Sequence, residues 1–496
     1  MSAKARVLAN RRFDATDQDR FAALSGDFNP MHVDHDVARR LVFGQRVVHG
    51  MHAVIACLES LLDDVEIGGD LARRGLGRIA ASFNKPIFVG EAVKIRLLSV
   101  DEGMVHVQLS AGHETLVDLR VWLGQPIPVL TPTASWSRPE RREPRQWSVD
   151  LAGQRGAFDL RLDRELAALV FPRCIACLGI LPIATLASLS WLVGMECPGH
   201  DSIFSSFDLI FTEAAREVSM TYVVRRAGPE FPVVDLTIEG AGARGSIKVF
   251  RRPASVAQPE MRQLAERVAP KAFAGQRALI VGGSRGLGEA TAKLIACGGG
   301  LPVVTFAHGQ ADAQRVVDDI VSWGGTAQKI AFDVSRPAAA IRALRAGGTQ
   351  PTHLYYFASP KIFLRKSEFF VQTVFNEFLR YYVNGFLTTV RSCRAATDAP
   401  LRAFYPSTVA LDEPVRQLTE YACAKAAGEA MCRQLETFDR GLSVTVRRLP
   451  RVATDQTTTV VRVPAAAAAE VMLPILREMA GSAQDGVSSV GADDEP

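Results

Sequence analysis

Apolar and polar residues alternate with a period of two along several short segments of the first half of the chain. Such alternation is typical of antiparallel strands that bury one face, because successive side chains point to opposite sides of a strand. The segments form two groups, each behind a helical stretch, so we interpret them as a divergent internal duplication. The predicted strands cover 94–100, 104–112, 116–124, 202–211, 217–226, 232–240 and 243–252.

The helical stretches ahead of these strands differ in length and hydrophobicity. The chain is predicted to open with a helical stretch, and a helix candidate runs from Met51 to about Leu62. The second group of strands follows a long apolar region at 166–195. Within that region the almost uncharged segment Cys174–Cys197 is long enough to span a bilayer, but Pro182 interrupts it. We predict a buried core helix there rather than a membrane span.

From residue 278 onward the pattern changes to strands that alternate with helices, which is typical of a parallel α/β sheet. Two segments rich in proline or charge separate this region and the two strand groups, and they indicate linkers. The predicted strands of the last region are 278–282, 301–307, 353–359, 402–407 and 442–449, with a helix at 287–296. The predicted organisation is therefore 1–128, a linker at 129–149, 150–252, a second linker at 253–275, and 276–496.

Composition excludes several broad classes of protein. The 496 residues are 48% hydrophobic and 22% charged, which is typical of a globular chain with two to four domains. A net charge of +4 gives no reason to expect a nucleic-acid partner. The eight cysteines are scattered and the N-terminal segment has no apolar core, so we expect reduced thiols, no signal peptide, no membrane segment and a cytoplasmic location. No spacing of potential ligands predicts a metal site.

A glycine-rich segment, VGGSRGLG at 281–288, follows a predicted strand and opens a predicted helix. Its Gly282, Gly286 and Gly288 fit a tight turn that lets a pyrophosphate approach main-chain amides at a helix N-terminus. Such a loop is a weak motif by itself. The strand before it and the helix after it supply the context that a dinucleotide site needs.

A second motif, Tyr421-Ala-Cys-Ala-Lys425, lies further along the same region. Residues four apart share one face of a helix, so the lysine ammonium is expected near the phenol. The positive charge would favour the phenolate and lower the pKa of Tyr421, making it a proton donor to a ketone that receives hydride. A predicted strand ends at Ser407 and Thr408, thirteen residues before the tyrosine.

The combination of these motifs resembles the short-chain dehydrogenase/reductases, and specifically their 3-oxoacyl thioester reductases. The resemblance covers about residues 276–470 and implies an α/β, Rossmann-type, doubly wound parallel sheet. It implies that Tyr421 is the acid/base, that Lys425 holds the ribose, and that Thr408 or Ser407 holds the substrate carbonyl. It also places Asn384 in a proton relay. The implied cofactor contacts are Gly282, Ser284, Arg285, Gly286, Leu287, Gly288, His308, Asp333, Val334, Ala358 and Lys425.

The charge pattern near the second strand of this region predicts the cofactor. Enzymes that use NAD place an acidic residue after that strand to bind the ribose 2′-hydroxyl. Here the strand ends in TFAHG at 305–309, without a carboxylate, and Arg285 lies within the glycine loop. Both features favour a 2′-phosphate, so the sequence predicts NADP(H).

The sequence departs from the reductase family in three places. The usual Asn-Ala-Gly after the fourth strand is Phe357-Ala358-Ser359, and the usual Pro-Gly after the sixth is Pro450-Arg451. The family's final strand and turn are not recognisable in the last forty residues. The alternative that these departures leave open is a degenerate reductase that only binds nucleotide.

A different cluster of polar residues lies near the start of the chain. FAALSGDFNPMHVD at 21–34 holds Asp27 and His32 five residues apart around an Asn-Pro turn, and GQRVVHGM at 44–51 follows it. Such a pair can present two proton-transfer groups to one substrate. Main-chain amides near Gly50, at the start of the predicted helix, could polarise a thioester carbonyl. Without a further pattern, a helix cap or turn for Asp27 and a packed core histidine for His32 remain the alternatives.

This stretch resembles the MaoC-like family of hotdog folds, the R-specific enoyl-CoA hydratases and dehydratases. The resemblance covers residues 10–125, with 83–93 as the strand after the central helix, and implies an α+β double hotdog whose second, degenerate copy is 150–252. It implies a catalytic Asp27–His32 dyad and an oxyanion hole at Gly50. The family's serine aligns with Ile55 here, so substrate orientation is expected to differ.

Together the two resemblances imply consecutive chemistry on one acyl thioester. The leading hypothesis is a bifunctional ketoreductase and dehydratase that acts on chains carried by acyl carrier protein or coenzyme A, in fatty-acid-like or polyketide-like biosynthesis. One alternative is a lone ketoreductase with a non-catalytic, acyl-binding and dimerising double hotdog. Another is a hydratase plus dehydrogenase in acyl breakdown. Family habit implies a homodimer or larger homo-oligomer.

Overall fold

The structure is a computed structural model that describes residues 5–125, 138–147, 151–212, 218–228, 232–253, 255–362, 369–395, 399–415, 417–459 and 463–481. The chain divides into two compact units. The N-terminal unit comprises Met1–Ala254 and Thr459–Arg462, and the C-terminal unit comprises Ser255–Thr458 and Val463–Pro496. Among the described residues, no helix has both the length and the hydrophobicity required to cross a bilayer.

In the described part of the N-terminal unit, ten strands form one antiparallel sheet. They are β1 (Arg6–Arg12), β2 (Leu76–Phe83), β3 (Ala92–Asp101), β4 (Met104–Ala111), β5 (Glu114–Leu123), β6 (Arg155–Asp159), β7 (Ser202–Phe211), β8 (Ser219–Ala227), β9 (Val233–Gly240) and β10 (Ala243–Arg251). Their order across the sheet is β1-β3-β4-β5-β2-β7-β10-β9-β8-β6. The second five strands therefore repeat the order of the first five, reflected about the β2–β7 pair, and this agrees with an internal duplication.

Helices of this unit pack on the sheet and share one hydrophobic core between both repeats. They are α1 (Ala15–Ser25), α2 (Pro30–Val33), α3 (His35–Ala38), α4 (Gly50–Leu62), α5 (Gly68–Arg74), α6 (Arg164–Val170), α7 (Pro172–Leu178) and α8 (Ile180–Trp191), and a π-helical turn at Leu192–Glu196 follows α8. Nearly every residue of α4 is buried. The Glu59 carboxylate at the end of α4 accepts the main-chain N–H groups of Arg173 and Cys174, both at 2.8 Å, and so joins the two repeats.

Three sequence-based expectations for this unit were wrong. The chain opens with the edge strand β1 before α1, and the strand after α4 is Leu76–Phe83, with a loop over most of 83–93. The apolar region 166–195 is not one helix, because Gly179 adopts a positive φ of 80° that ends α7 and separates it from α8. The interior of α8 is nevertheless buried, as predicted for a core helix.

In the described part of the C-terminal unit, six strands form a parallel sheet. They are β11 (Arg277–Val281), β12 (Leu301–Phe306), β13 (Gln328–Ala331), β14 (His353–Tyr356), β15 (Leu401–Thr408) and β16 (Leu442–Leu449). The order β13-β12-β11-β14-β15-β16 reverses direction between β11 and β14. In open α/β sheets such a switch point, at the carboxyl ends of the strands, is where ligands bind.

Two separate hydrophobic clusters cover the two faces of this sheet. Helices α9, α10, α11 and α16 contribute to one cluster, and α12 to α15 contribute to the other. The helices are α9 (Met261–Ala265), α10 (Gly286–Cys297), α11 (Gln310–Ser322), α12 (Ala338–Ala346), α13 (Gln372–Leu379), α14 (Phe386–Arg394), α15 (Thr419–Phe438) and α16 (Ala468–Gly481), and a π-helical turn at Arg380–Gly385 joins α13 to α14.

Both predicted linkers contain structured residues. Most of the second one, expected at 253–275, belongs to the C-terminal unit, because Met261, Leu264 and Phe273 are buried in one of its clusters. The described part of the first linker, 138–147, is mostly exposed. It contacts the second repeat, because the Trp147 indole N–H donates to the Glu196 main-chain oxygen at 2.7 Å. The rest of the first linker lies outside the described residues.

Candidate functional sites

The end of α1 and the start of α2 position the polar cluster of the N-terminal unit. Helix α1 ends at Gly26, which adopts a φ of 81°, and Asp27 follows directly. The Asn29 side chain caps α2 by accepting the Met31 N–H, and Pro30 occupies the first helical turn. His32 thereby points back toward Asp27, and both residues are buried.

The Asp27 carboxylate is held by two donors. Oδ1 accepts the Asn29 main-chain N–H at 3.1 Å, and Oδ2 accepts the Ser190 hydroxyl at 2.7 Å. Burial raises the pKa of Asp27, while His32, Ser190 and Asn29 act in the opposite direction. The carboxyl group is therefore closer to accepting a proton than an exposed aspartate would be.

His32 is fixed in one tautomer. Its Nδ1 lies 2.8 Å from the Val47 main-chain oxygen, which accepts only if Nδ1 carries the proton. Burial lowers the pKa of His32, against an opposing contribution from Asp27. The neutral ring thus keeps Nε2 unprotonated, and that nitrogen can act as a base.

His49 lies against this pair. Its ring stacks on the His32 ring with centroids 3.9 Å apart. Its Nδ1 contacts Gln18 Oε1 and its Nε2 contacts the Asp27 main-chain oxygen, both at 3.0 Å. Side-chain atoms of Asp27, His32 and His49 lie within 4.8 Å of one another. Because both nitrogens of His49 are engaged, we interpret the group as proton-transfer and positioning residues rather than as a metal site.

Gly50 begins α4 directly after His49, as expected for an amide donor at a helix N-terminus. A Cβ at Gly50 would lie 2.8 Å from the Phe83 ring, so only glycine fits this approach. Ile55, which aligned with the family's serine, is fully buried in the core. The hydroxyl that donates to the Asp27 carboxylate belongs instead to Ser190 of the second repeat. The sequence did not predict this contact.

In the C-terminal unit, the glycine loop connects β11 to α10 at the switch point. Gly282 and Gly286 have positive φ values of 81° and 54°. A Cβ at Gly282 would lie 3.0 Å from the Ala358 nitrogen, and one at Gly288 would collide with the Gly282 oxygen. The loop is held by Thr305, whose hydroxyl accepts the Gly282 N–H at 3.0 Å. These close contacts require glycine at both positions, as in loops that let a pyrophosphate approach the backbone.

Side chains at the end of β15 and on α15 lie together at the carboxyl edge of the parallel sheet, the edge that also carries the glycine loop. Tyr421 is largely buried, and its pKa is raised to about 12 by burial, against a smaller lowering by a hydrogen bond with Thr408. Ser407 points elsewhere, because its hydroxyl donates to Glu429 Oε1 at 2.5 Å. The structure therefore separates the two candidate hydroxyls, and Thr408 is the one beside the phenol.

Lys425 is fully buried and differs from its sequence-based expectation. Its Nζ donates to the Pro406 main-chain oxygen at 2.6 Å and lies 5.9 Å from the Tyr421 ring centroid. Burial lowers the pKa of Lys425 to about 7. The predicted lowering of the pKa of Tyr421 by a lysine charge is thus wrong for this structure, since burial dominates both groups.

Tyr382 lies beside Lys425, a contact that the sequence did not predict. The Tyr382 ring centroid lies 3.9 Å from Lys425 Nζ, and its hydroxyl pairs with Ser359 Oγ at 2.5 Å. Asn384 is exposed, because the π-helical turn at Arg380–Gly385 changes which residues face inward. The predicted role of Asn384 in a proton relay stays a prediction.

The remaining predicted cofactor contacts are arranged around the loop. Arg285 forms an ion pair with Asp455 at 3.4 Å. His308 is exposed after β12, whereas Val334 is buried. Asp333 is exposed and accepts the Ser335 N–H and hydroxyl, which lowers its pKa. Ser284 and Leu287 lie in the loop and the first turn of α10, where Ser284 is mostly buried.

Replacing Thr408 with alanine is expected to reduce ketone reduction far more than replacing Ser407. Thr408→Ala removes the hydroxyl beside the phenol, and we expect a loss of about 10²-fold in kcat/KM. Ser407→Ala leaves Glu429 paired with Arg448 and is expected to change kcat/KM by less than about fivefold. Initial rates with NADPH and a 3-oxoacyl thioester measure both, and Thr408→Ser should restore activity. Equal losses in the two alanine variants would contradict this assignment.

One family model matches the N-terminal part of the chain. Residues 3–118 match the family model described as MaoC like domain. This segment is a MaoC-like domain. Over 93 residues the chain is 42% identical to the (R)-specific enoyl-CoA hydratase of Aeromonas caviae, a match that covers 18% of this chain and 63% of that protein. The chain thus spans somewhat less than two thirds of this relative's length.

Solved structures resemble the other part of the chain at lower identity. A short chain dehydrogenase from Burkholderia cenocepacia J2315, crystallised with NADP, is 22% identical and covers 42% of this chain and 91% of its own, with a TM-score of 0.38. A dehydrogenase/reductase from Sinorhizobium meliloti 1021 is 20% identical over 44% of this chain and 91% of its own, also with a TM-score of 0.38.

Proposed function

We propose that this chain is a bifunctional enzyme that reduces 3-oxoacyl thioesters with NADPH and dehydrates the resulting 3-hydroxyacyl thioesters. The observation that carries the proposal is the buried Asp27–His32 pair within a MaoC-like domain. The Tyr421–Thr408 pair, at the same carboxyl edge of the sheet as the glycine loop, would supply the second site. The N-terminal unit would then be a double hotdog, with its two copies at 1–128 and 150–252. The reductase domain would begin near Ser255.

The first site suits elimination of water from a 3-hydroxyacyl thioester. Neutral His32 accepts the Cα proton at Nε2, and the electrons of the broken Cα–H bond move toward the thioester carbonyl oxygen as an enolate. They return to form the Cα=Cβ double bond as the Cβ–O bond breaks, and the hydroxyl leaves as water with a proton from Asp27, whose pKa is raised by burial. The Gly50 amide at the start of α4 is placed to stabilise the enolate oxygen. Hydration uses the same groups in reverse.

The second site suits reduction of a ketone. Gly282, Gly286 and Gly288 would hold the pyrophosphate of the dinucleotide, and Arg285 would contact a 2′-phosphate in place of Asp455. The bound cofactor supplies hydride to the carbonyl carbon. Tyr421 donates its phenolic proton to the carbonyl oxygen, and a pKa near 12 keeps that phenol protonated at neutral pH. The protonated phenol is the form that reduction of a ketone needs.

A coupled assay tests both assignments together. Purified full-length chain is incubated with NADPH and a short 3-oxoacyl thioester, on coenzyme A or on acyl carrier protein, and the acyl products are analysed by mass spectrometry. We expect a gain of two hydrogens followed by loss of water. If only the 3-hydroxyacyl product accumulated on both carriers, the reductase would stand and the N-terminal unit would be an acyl-binding module.

One observation favours the reverse direction as a second candidate. The relative that is 42% identical to the MaoC-like segment is named as an enoyl-CoA hydratase. In that case the chain would hydrate 2-enoyl-CoA and oxidise the 3-hydroxyacyl product with NADP⁺. Comparing the kcat for 2-enoyl-CoA with NADP⁺ against the kcat for a 3-oxoacyl thioester with NADPH distinguishes the two directions.

A further inference from the structure

The second repeat of the N-terminal unit contributes directly to the cluster around Asp27. Ser190 lies at the end of α8, in the second repeat, and is 4% exposed. Its hydroxyl donates to Asp27 Oδ2 at 2.7 Å, across 163 positions of the chain. A serine hydroxyl within an apolar helix more often returns to its own helix, as Thr185 does by donating to the Leu181 oxygen. Ser190 instead reaches the other repeat.

We propose that Ser190 is a positioning residue for Asp27, so that the second repeat completes the hydratase/dehydratase site of the first. This inference rests on the proposed function of the Asp27–His32 pair. It assigns a role to the repeat that lacks an Asp/His pair of its own, and it replaces the serine that the first repeat lacks at Ile55.

The chain around Ser190 is fitted closely to Asp27. A Cβ at Gly194, in the π-helical turn after α8, would collide with Asp27 Oδ1. The Asn29 side-chain amide donates to the Gly194 oxygen at 2.9 Å and so ties this turn to the start of α2. The close approach leaves the carboxylate little freedom to rotate away from Ser190. Orientation of a proton-transfer group within a fraction of an ångström is what such catalysis needs.

The charged groups around the pair set the direction of the expected change. His32 faces Asp27 from α2, and His49 contacts the Asp27 main-chain oxygen from the start of α4. Arg46 and Arg252 lie near enough to lower the pKa of His32. The Ser190 bond stabilises the Asp27 carboxylate, so its loss raises the pKa of Asp27 further. In hydration the Asp27 carboxylate must accept a proton from water, so it must be ionised. Loss of the Ser190 hydrogen bond therefore moves the acid limb of the rate profile to higher pH.

The test compares Ser190→Ala with Ser188→Ala in the full-length chain. Ser188 is also 4% exposed and lies on the same helix, so it controls for loss of a buried hydroxyl. Hydration of crotonyl-CoA is measured as a function of pH. For Ser190→Ala we expect kcat to fall about tenfold with KM changed less than about twofold, and the acid limb to move up by about one pH unit. Ser188→Ala should keep the parent kcat and profile.

Two further variants distinguish failure of the Ser190 role from failure of the proposed function. Ser190→Cys retains nearly the same volume with a weaker donor, and we expect a smaller shift in the same direction, which covers the case that Ser190→Ala does not fold. Asp27→Asn tests the proposed function itself. If the parent hydrates crotonyl-CoA, Asp27→Asn does not, and neither Ser190 variant shifts the profile, the positioning role is wrong while the hydratase assignment stands. If Asp27→Asn keeps the parent rate, the proposed function fails instead.

Discussion

Tyr421→Phe is expected to slow the turnover of 3-oxoacyl thioesters by about 10³-fold while NADPH still binds. The substitution removes only the phenolic hydroxyl, which is the proton donor that we assign to the ketone oxygen. The ring keeps its edge contacts with Phe378 and Tyr382, at centroid distances of 5.8 and 5.6 Å. The fold and the glycine loop should therefore be unaffected. NADPH oxidation measures the rate, and quenching of protein fluorescence measures NADPH binding.

Cys423→Ser is the matched control for this experiment. Cys423 lies two residues further along α15 but is exposed, so its substitution is expected to leave the turnover rate and the NADPH affinity unchanged. The assignment of Tyr421 as proton donor would be contradicted by a Tyr421→Phe variant that reduces the thioester at more than about a tenth of the parent rate. Loss of NADPH binding in Tyr421→Phe would indicate a structural role for the hydroxyl.

The C-terminal unit shows which features short sequence patterns can predict. The β11 strand, the glycine loop and the helix after it occupy adjacent positions, so their spacing alone indicates the geometry of Gly282, Gly286 and Gly288. The exposure of Asn384 could not be predicted, because it depends on a π-helical turn and no local pattern marks the extra residue in that turn. Tyr382 consequently took the position beside Lys425.

The N-terminal unit shows the limit set by long-range contacts. Asp27 and His32 could be paired from sequence because an Asn-Pro turn fixes their separation. Ser190 could not, since its contact with Asp27 depends on how the two repeats pack through the β2–β7 pair. Strand β1 was also missed, because an edge strand is partly exposed on both faces and its alternation is weak.

Asp27→Asn is expected to slow both hydration and dehydration by about 10³-fold in kcat. The amide oxygen can still accept the Asn29 N–H that Oδ1 accepts at 3.1 Å, and the side chain keeps its volume. The local turn should therefore be preserved. Only the capacity to accept and donate a proton is lost, and a residue that served merely as a turn former would tolerate this change.

The melting temperature of Asp27→Asn tests the role of Asp27 independently of activity. Because burial raises the pKa of Asp27, the ionised carboxylate is disfavoured in the folded chain, and a neutral amide should not lower the melting temperature. Asp36→Asn is the control, since Asp36 lies on α3 with its side chain 71% exposed and should leave both activity and melting temperature unchanged. An inactive Asp27→Asn variant that melts at or above the parent temperature would show a residue placed for chemistry at a cost in stability. An inactive variant with a much lower melting temperature would point to a structural role for Asp27 instead.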